Sequence, residues 1–151
     1  MFHVKLQIKP ISDKIGREIP LPYYATPGAA ALDLHACLDE PVTIFPGGQA
    51  VIPTGLAAAI PEGCVGIMAV RSSMGVRRGI TMPNGIGVID SDYRGPLGVA
   101  LYNLREEPYT VQPGDRVAQL LIVPVLTPEI EVVEELPPTQ RGTGGFGSTG
   151  R

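Results

Sequence analysis

A chain of 151 residues with 44% hydrophobic content is the right size for one domain with a compact core. Its formal net charge of −3 argues against the basic face of a nucleic-acid binder. It leaves room for a phosphorylated small molecule held by a few arginines, backbone N–H groups and a metal. With 19 glycines and 16 prolines, turns are frequent and long helices are not expected. No apolar run approaches the roughly 20 residues of a membrane helix; the longest, Leu120 to Leu126, is broken by Pro124. Met1 to Lys5 holds no apolar signal-peptide core. Cys37 and Cys64 are far apart, which fits a reducing cytoplasm better than a disulfide framework.

Short β segments follow one another along the chain. Val4, Leu6 and Ile8 alternate with Lys5, Gln7 and Lys9, the two-residue period of a strand. Thr43-Ile44-Phe45 leads through Pro46-Gly47-Gly48 into Ala50-Val51-Ile52. Val65 to Val70 is a continuous apolar run, and the one expected helix is short, near Ser72 to Arg77. Leu97 to Leu104, Tyr109 to Val111, Val117 to Val125 and Ile130 to Val133 are further predicted strands. Pro113-Gly114-Asp115 is read as a turn. Strand-sized pieces punctuated by Gly and Pro predict an all-β barrel or sandwich. After Pro137-Pro138 the Gly-rich stretch to Arg151 offers nothing to bury, and by itself is expected to be a mobile tail.

Familiar motifs are absent or misleading. Gly142, Gly144 and Gly147 match a dinucleotide fingerprint by letter, but that fingerprint needs a preceding strand and a following helix within a βαβ unit, and this chain stops at Arg151. There is no P-loop, and His3 and His35 have no metal-ligand spacing. Five segments carry candidate chemistry. Asp33 lies inside the apolar stretch Ala30 to Ala36. Arg71-Ser72-Ser73 offers a guanidinium, two hydroxyls and a helix start, all suited to phosphate oxygens. Asn84 to Gly95 combines glycines, Asp90, Asp92 and Tyr93, and Gly114 to Gln119 follows. The terminal arm is the fifth. Singly, each also reads as ordinary structure: a solvated turn, a polar hairpin tip, a half-buried aromatic, a disordered tail. For Asp92 and Asp115 the turn-forming reading is preferred.

In this order and spacing, the five segments resemble the homotrimeric dUTP diphosphatases (dUTPases) from Leu6 to Gly150. Asp90-x-Asp92-Tyr93-Arg94-Gly95 and Arg141-Gly-x-Gly-Gly-Phe146-Gly-Ser148-x-Gly carry the most specific part of the resemblance. It implies a distorted, jelly-roll-like (β-clip) barrel over residues 1–136 and a flexible arm over 137–151 that closes on the active site. The implied activity is Mg²⁺-dependent hydrolysis of dUTP to dUMP and pyrophosphate. That reaction limits uracil in DNA and supplies dUMP for thymidylate synthesis. The family pattern departs at Ala31, where Gly is usual, and at Val70, where Pro is common.

The resemblance also assigns roles. A β-hairpin would receive deoxyuridine, with Asn84 and the backbone of Gly87, Val88 and Ile89 on the uracil edge and Gly98 close by. A site that hydrogen-bonds one base edge leaves polar groups unpaired with the wrong base. Tyr93 would lie under the deoxyribose and exclude a 2′-hydroxyl. Asp90 would act as general base on the attacking water. Arg71, Ser72, Ser73 and Gln119 would hold the phosphates. Asp33 would meet the waters of a Mg²⁺ ion held mainly by the substrate. Arg141 would pair with the γ-phosphate, Phe146 would stack on uracil, and Gly147 and Ser148 would add donors. Three chains would share each site, without nucleic-acid or membrane partners. One alternative is a dCTP deaminase relative, which would need a Glu where this chain has Ala100, three residues before Asn103. The other is a non-catalytic nucleotide-binding protein.

Overall fold

The computed structural model describes residues 4–146. The strands are β1 (Gln7–Pro10), β2 (Leu32–His35), β3 (Val42–Ile44), β4 (Gln49–Ala59) and β5 (Cys64–Ala69), then β6 (Ile80–Thr81), β7 (Gly87–Ile89), β8 (Pro96–Asn103), β9 (Tyr109–Val111) and β10 (Arg116–Pro124). One turn of π-helix, Ser73–Arg77, sits where the short helix was expected. Two four-stranded sheets, ordered β1-β4-β8-β6 and β2-β10-β5-β7, are joined by a β3-β9 ribbon. All strand pairings are antiparallel. This is the all-β architecture that the punctuation predicted, in the jelly-roll-like form that the resemblance implies.

One core serves both sheets. Along β8, Leu97, Val99, Leu101 and Asn103 point inward while Pro96 and Gly98 face out, the alternation of a half-buried strand. Val99 and Leu101 meet Ile52 of β4, Leu34 of β2, Leu120 of β10, and Ile44 and Val111 of the ribbon in one cluster. Burying each such side chain contributes about 1.5–3 kcal/mol relative to exposure. Of the three buried polar side chains among the described residues, Thr54 and Asn103 are paired within the core. The Thr54 hydroxyl donates to the Leu97 carbonyl at 2.7 Å. The Asn103 amide donates to the carbonyls of Ile44 and Glu107 and accepts from the Arg105 N–H.

Several elements differ from expectation. β4 runs on to Ala59 through a register shift between Pro53 and Ala57. The shift turns at Gly55, whose φ of 71° and contact with Cys37 leave no place for a side chain. β2, β6 and β7 were not predicted as strands. Ile130 to Val133, expected as a strand, forms none: among the described residues nothing pairs with it, and Ile130 and Val132 are 88% and 93% exposed. Regular structure ends at Pro124, and 126–136 carries Leu126, Ile130, Val132 and Leu136 into solvent.

Candidate active site

β10 lies between β2 and β5, and its register builds the charged centre. Gln119 stands opposite Asp33 on one side and Ala69 on the other. Arg71 follows two residues beyond Ala69 and turns back, placing its Nε 3.2 Å from Asp33 Oδ1. Arg116 approaches the second carboxylate oxygen, NH1 to Oδ2 at 3.3 Å. A β-bulge between Arg116 and Ala118 makes this possible. Val117 and Ala118 are consecutive and both fully buried, which a regular strand forbids and a bulge permits. Asp33 is therefore the hub of two guanidiniums at the edge of the core. His35 is buried beside them, and that burial, more than the nearby charges, holds its imidazole below the ordinary value.

The Arg71–Ser73 segment turns as expected, but its N–H groups are partly used. Met74 and Gly75 both donate to the Arg71 carbonyl. The Ser72 side chain makes no capping bond, so its exposed hydroxyl is available, while Ser73 is half-buried. The donors left available in this segment are side chains more than a helix start.

The Asn84–Gly95 segment forms a second centre. It is not a hairpin of two paired strands. β7 pairs with β5, β8 pairs with β4 and β6, and the chain crosses from one sheet to the other between them. Asn84 is exposed on a turn that Gly85 closes on Met82. Gly87, Val88 and Ile89 lie opposite Met68, Ile67 and Gly66. Gly98 lies on the outer face of β8 opposite Pro53, where a Cβ would come within 2.9 Å of Val51. The turn after β7 is held by Arg94, whose guanidinium donates to the carbonyls of Ser91 and Tyr93. Asp92 was expected to hold that turn, yet its side chain makes no hydrogen bond or ion pair among the described residues. Tyr93 donates its hydroxyl to the Pro96 carbonyl at 2.9 Å, which lays the ring across Gly95 and leaves no room there for a Cβ. Asp90 is exposed and free of side-chain partners among the described residues.

Within one chain the two centres stand apart. Ile89 pairs with Gly66, while Met68 pairs with Gly87, so Asp90 sits near the start of β5 and Arg71 beyond its end. At about 3.3 Å per residue they are on the order of 15–20 Å apart. The described part of the arm, up to Phe146, contributes to neither centre: Arg141 Nε is turned onto the Gly144 carbonyl at 2.8 Å, and Phe146 is fully exposed. Gly147 and Ser148 lie outside the described residues. The chain thus brings together Asp33, Arg71, Ser73 and Gln119, and separately Asn84, Gly87, Val88, Ile89, Asp90 and Tyr93. Arg116 lies inside the Gly114 to Gln119 segment singled out from the sequence, but no role was expected of it. The signal was an arginine immediately before the buried Val117-Ala118 pair. Asp115 takes its expected turn role, its carboxylate accepting the Gln112 N–H at 2.9 Å. Ala100 presents only a methyl group, half-buried on β8, where the deaminase reading needs an acid.

Among the described residues no three His, Cys, Asp or Glu side chains are grouped as a metal cage. A single carboxylate beside arginines suits a cation carried mainly by substrate phosphates.

The dUTPase family model matches residues 17–150. A deoxyuridine 5'-triphosphate nucleotidohydrolase from Coxiella burnetii is 49% identical over 147 residues, covering 97% of each chain. The solved dUTPase of Staphylococcus bacteriophage 80alpha, bound to dUPNHPP, is similar with a TM-score of 0.86 and 31% identity, over 97% of this chain and 99% of that one. The dUTPase of phage phi11 of S. aureus, in a structure that describes coordination of a structural Mg(II) ion, gives a TM-score of 0.76 at 29% identity over 87% and 98%. The chain belongs to the dUTPase family.

Proposed function

We propose that this protein hydrolyses dUTP to dUMP and pyrophosphate at sites completed between copies of the chain. The carrying observation is the separation just described. One chain offers a guanidinium cluster for phosphates at one end of β5. At the other end it offers a free carboxylate and a braced aromatic ring. Neither centre is a complete hydrolase by itself, and facing centres of two chains make one. Exposed apolar surface supports association. Val51 is 70% exposed beside Pro53 and Gly98 on the outside of the β4-β8 pair, and the 126–136 segment shows its leucine and isoleucine side chains. A homotrimer, with the arm of a third copy laid over the nucleotide, fits this division.

The chemistry follows from the groups present. Asp90 accepts a proton from a water whose oxygen attacks the α-phosphorus, and the bond to the β-phosphate oxygen breaks to release pyrophosphate. Arg71, Ser72, Ser73 and Gln119 hold phosphate oxygens, with Arg71 aimed by Asp33. A bound Mg²⁺ would neutralise charge on the phosphates, and Asp33 is the carboxylate placed to meet its water shell. Asn84 and the β7 backbone face the uracil edge, with Gly98 close by. The Tyr93 ring packs under the deoxyribose. Arg141 and Phe146 close on the γ-phosphate and base, with Gly147 and Ser148 beside them; base stacking on an aromatic is worth roughly 1–3 kcal/mol. Among the described residues no helix is long and apolar enough to cross a membrane. The free Cys37 and Cys64 fit the reducing cytoplasm, to which the reaction is assigned.

Product analysis with Mg²⁺ tests the reading, with dUTP, dCTP, dTTP and UTP offered separately. Release of dUMP and pyrophosphate from dUTP alone is expected. Conversion of dCTP, or binding of dUTP without turnover by folded protein, would overturn it.

A further inference from the structure

Behind the Asp33 cluster lies a cavity of about 170 Å³, with Arg71, Ser73, Arg78, Tyr109, Asp115 and Arg116 in its walls. Three guanidiniums converge there, and they are not equivalent. Arg71 and Arg116 are both paired to Asp33. Arg78 has no carboxylate within ion-pair distance among the described residues. Instead its NH1 donates to the Tyr109 hydroxyl at 2.6 Å, and its guanidinium carbon lies 5.6 Å from the centre of the Tyr109 ring. The Tyr109 hydroxyl in turn donates to the sulfur of buried Met74 at 3.4 Å. A phenol and a ring face orient a guanidinium without cancelling its charge. Arg78 also leaves the helical turn that begins at Arg71 and Ser73, so one short element frames the cavity from two sides. Asp115 spends a carboxylate oxygen on its own turn. The walls hold three cations and one acid, and Asp33 beside them is already paired with Arg71 and Arg116. Without a guest, that crowding is unfavourable. An anion with several oxygens relieves it.

We propose that Arg78 is a further phosphate-binding residue, one that takes an oxygen of the distal phosphates of the nucleotide while Tyr109 holds it in position. The inference rests on the dUTP reading above. It concerns the phosphate chain alone, so it separates affinity for the triphosphate from affinity for the nucleoside end.

The test compares wild type with Arg78→Gln, Arg78→Lys and Tyr109→Phe. It measures kcat and KM for dUTP, and the affinities of dUMP and of the imido analogue dUPNHPP. Arg78→Gln is expected to weaken dUPNHPP about tenfold and to raise KM similarly, with dUMP affinity within about twofold. Arg78→Lys should recover part of the loss, and Tyr109→Phe should give a smaller loss of the same pattern. Unchanged dUPNHPP affinity and KM in Arg78→Gln would overturn the inference, as would equal losses for dUMP and dUPNHPP. If Arg78→Gln does not fold, Tyr109→Phe and Arg78→Lys decide by the same comparison. Absence of dUTP turnover in the wild type would remove the functional reading and this inference together. Wild-type turnover with an unchanged Arg78→Gln would remove this inference alone.

Discussion

Asp33 Oδ1 lies 3.2 Å from Arg71 Nε across the end of the β2-β10-β5 sheet, and the Asp33 side chain is only 12% exposed. The pair both aims Arg71 and dilutes its charge. Asp33→Asn separates those effects. The neutral amide leaves Arg71 and Arg116 more positive, which favours phosphate binding, while the guanidinium loses its fixed direction. Orientation governs rate more than affinity. The expected result is a kcat about tenfold lower with KM within about twofold, and a stability loss of about 1–2 kcal/mol for a partly exposed ion pair. Steady-state kinetics and denaturant melts check it. A large rise in KM at unchanged kcat would show that Asp33 serves binding instead.

The sequence revealed some of this architecture and concealed the rest, for physical reasons. Leu97 to Leu104 and Tyr109 to Val111 could be read because their alternation or β-branched content matches burial in one chain. Ile130 to Val133 is as rich in β-branched residues and forms no strand, since a strand requires a partner and none of the described residues pairs with it. β4 was read short because Gly55 and the Ala57 to Ala59 run lack the bulk that marks strands. Asp33, Arg71 and Gln119 were singled out from their segments. Their meeting, and the recruitment of Arg116, depends on the strand register and on a bulge between residues far apart in sequence. No local pattern encodes that register.

Gly95 carries the Tyr93 ring, so Gly95→Ala should displace it. A methyl group cannot fit beneath the ring, and the Tyr93–Pro96 bond must break or the turn must shift. Overpacking of this kind typically costs about 1–3 kcal/mol, and dUTP turnover should fall at least about tenfold as the carboxylate of Asp90 moves with the turn. A double-mutant cycle isolates the cause. In a Tyr93→Ala background, Gly95→Ala should be nearly neutral for stability. An equal cost in both backgrounds would place the strain elsewhere.

His35 gives the fold an acid-side sensitivity. Burial pushes its imidazole below the ordinary 6.5; neighbouring Asp33 opposes this, and Arg116 and Arg71 add to it. The unfolded chain therefore takes up this proton at higher pH than the folded one. Stability from this group is complete above about pH 6.5, declines as pH falls through that value, and stops declining once the folded imidazole also protonates. Thermal melts should be flat from about pH 9 to 7 and drop from about pH 6.5 downward. His35→Gln should flatten that window. An unchanged slope in the variant would assign the acid sensitivity to other groups.

The proposed division of the site between chains has a sharper consequence. Asp90→Asn should bind nucleotide and lose most turnover, and Arg71→Ala should be nearly inactive through poor phosphate binding. If Asp90 and Arg71 of one site come from different chains, the two dead proteins can rescue each other. Random mixing at equal amounts, by unfolding and refolding together, gives an intact site whenever an Arg71→Ala chain supplies Asp90 and an Asp90→Asn chain supplies Arg71. That occurs at about one site in four, so about a quarter of wild-type activity should return. A site held within one chain would recover nothing, because every chain carries one lesion. The measurement needs no crystal and no label, only dUMP release before and after mixing. Its zero result would return Asp90 and Arg71 to a single chain, against the separation that β5 imposes between them.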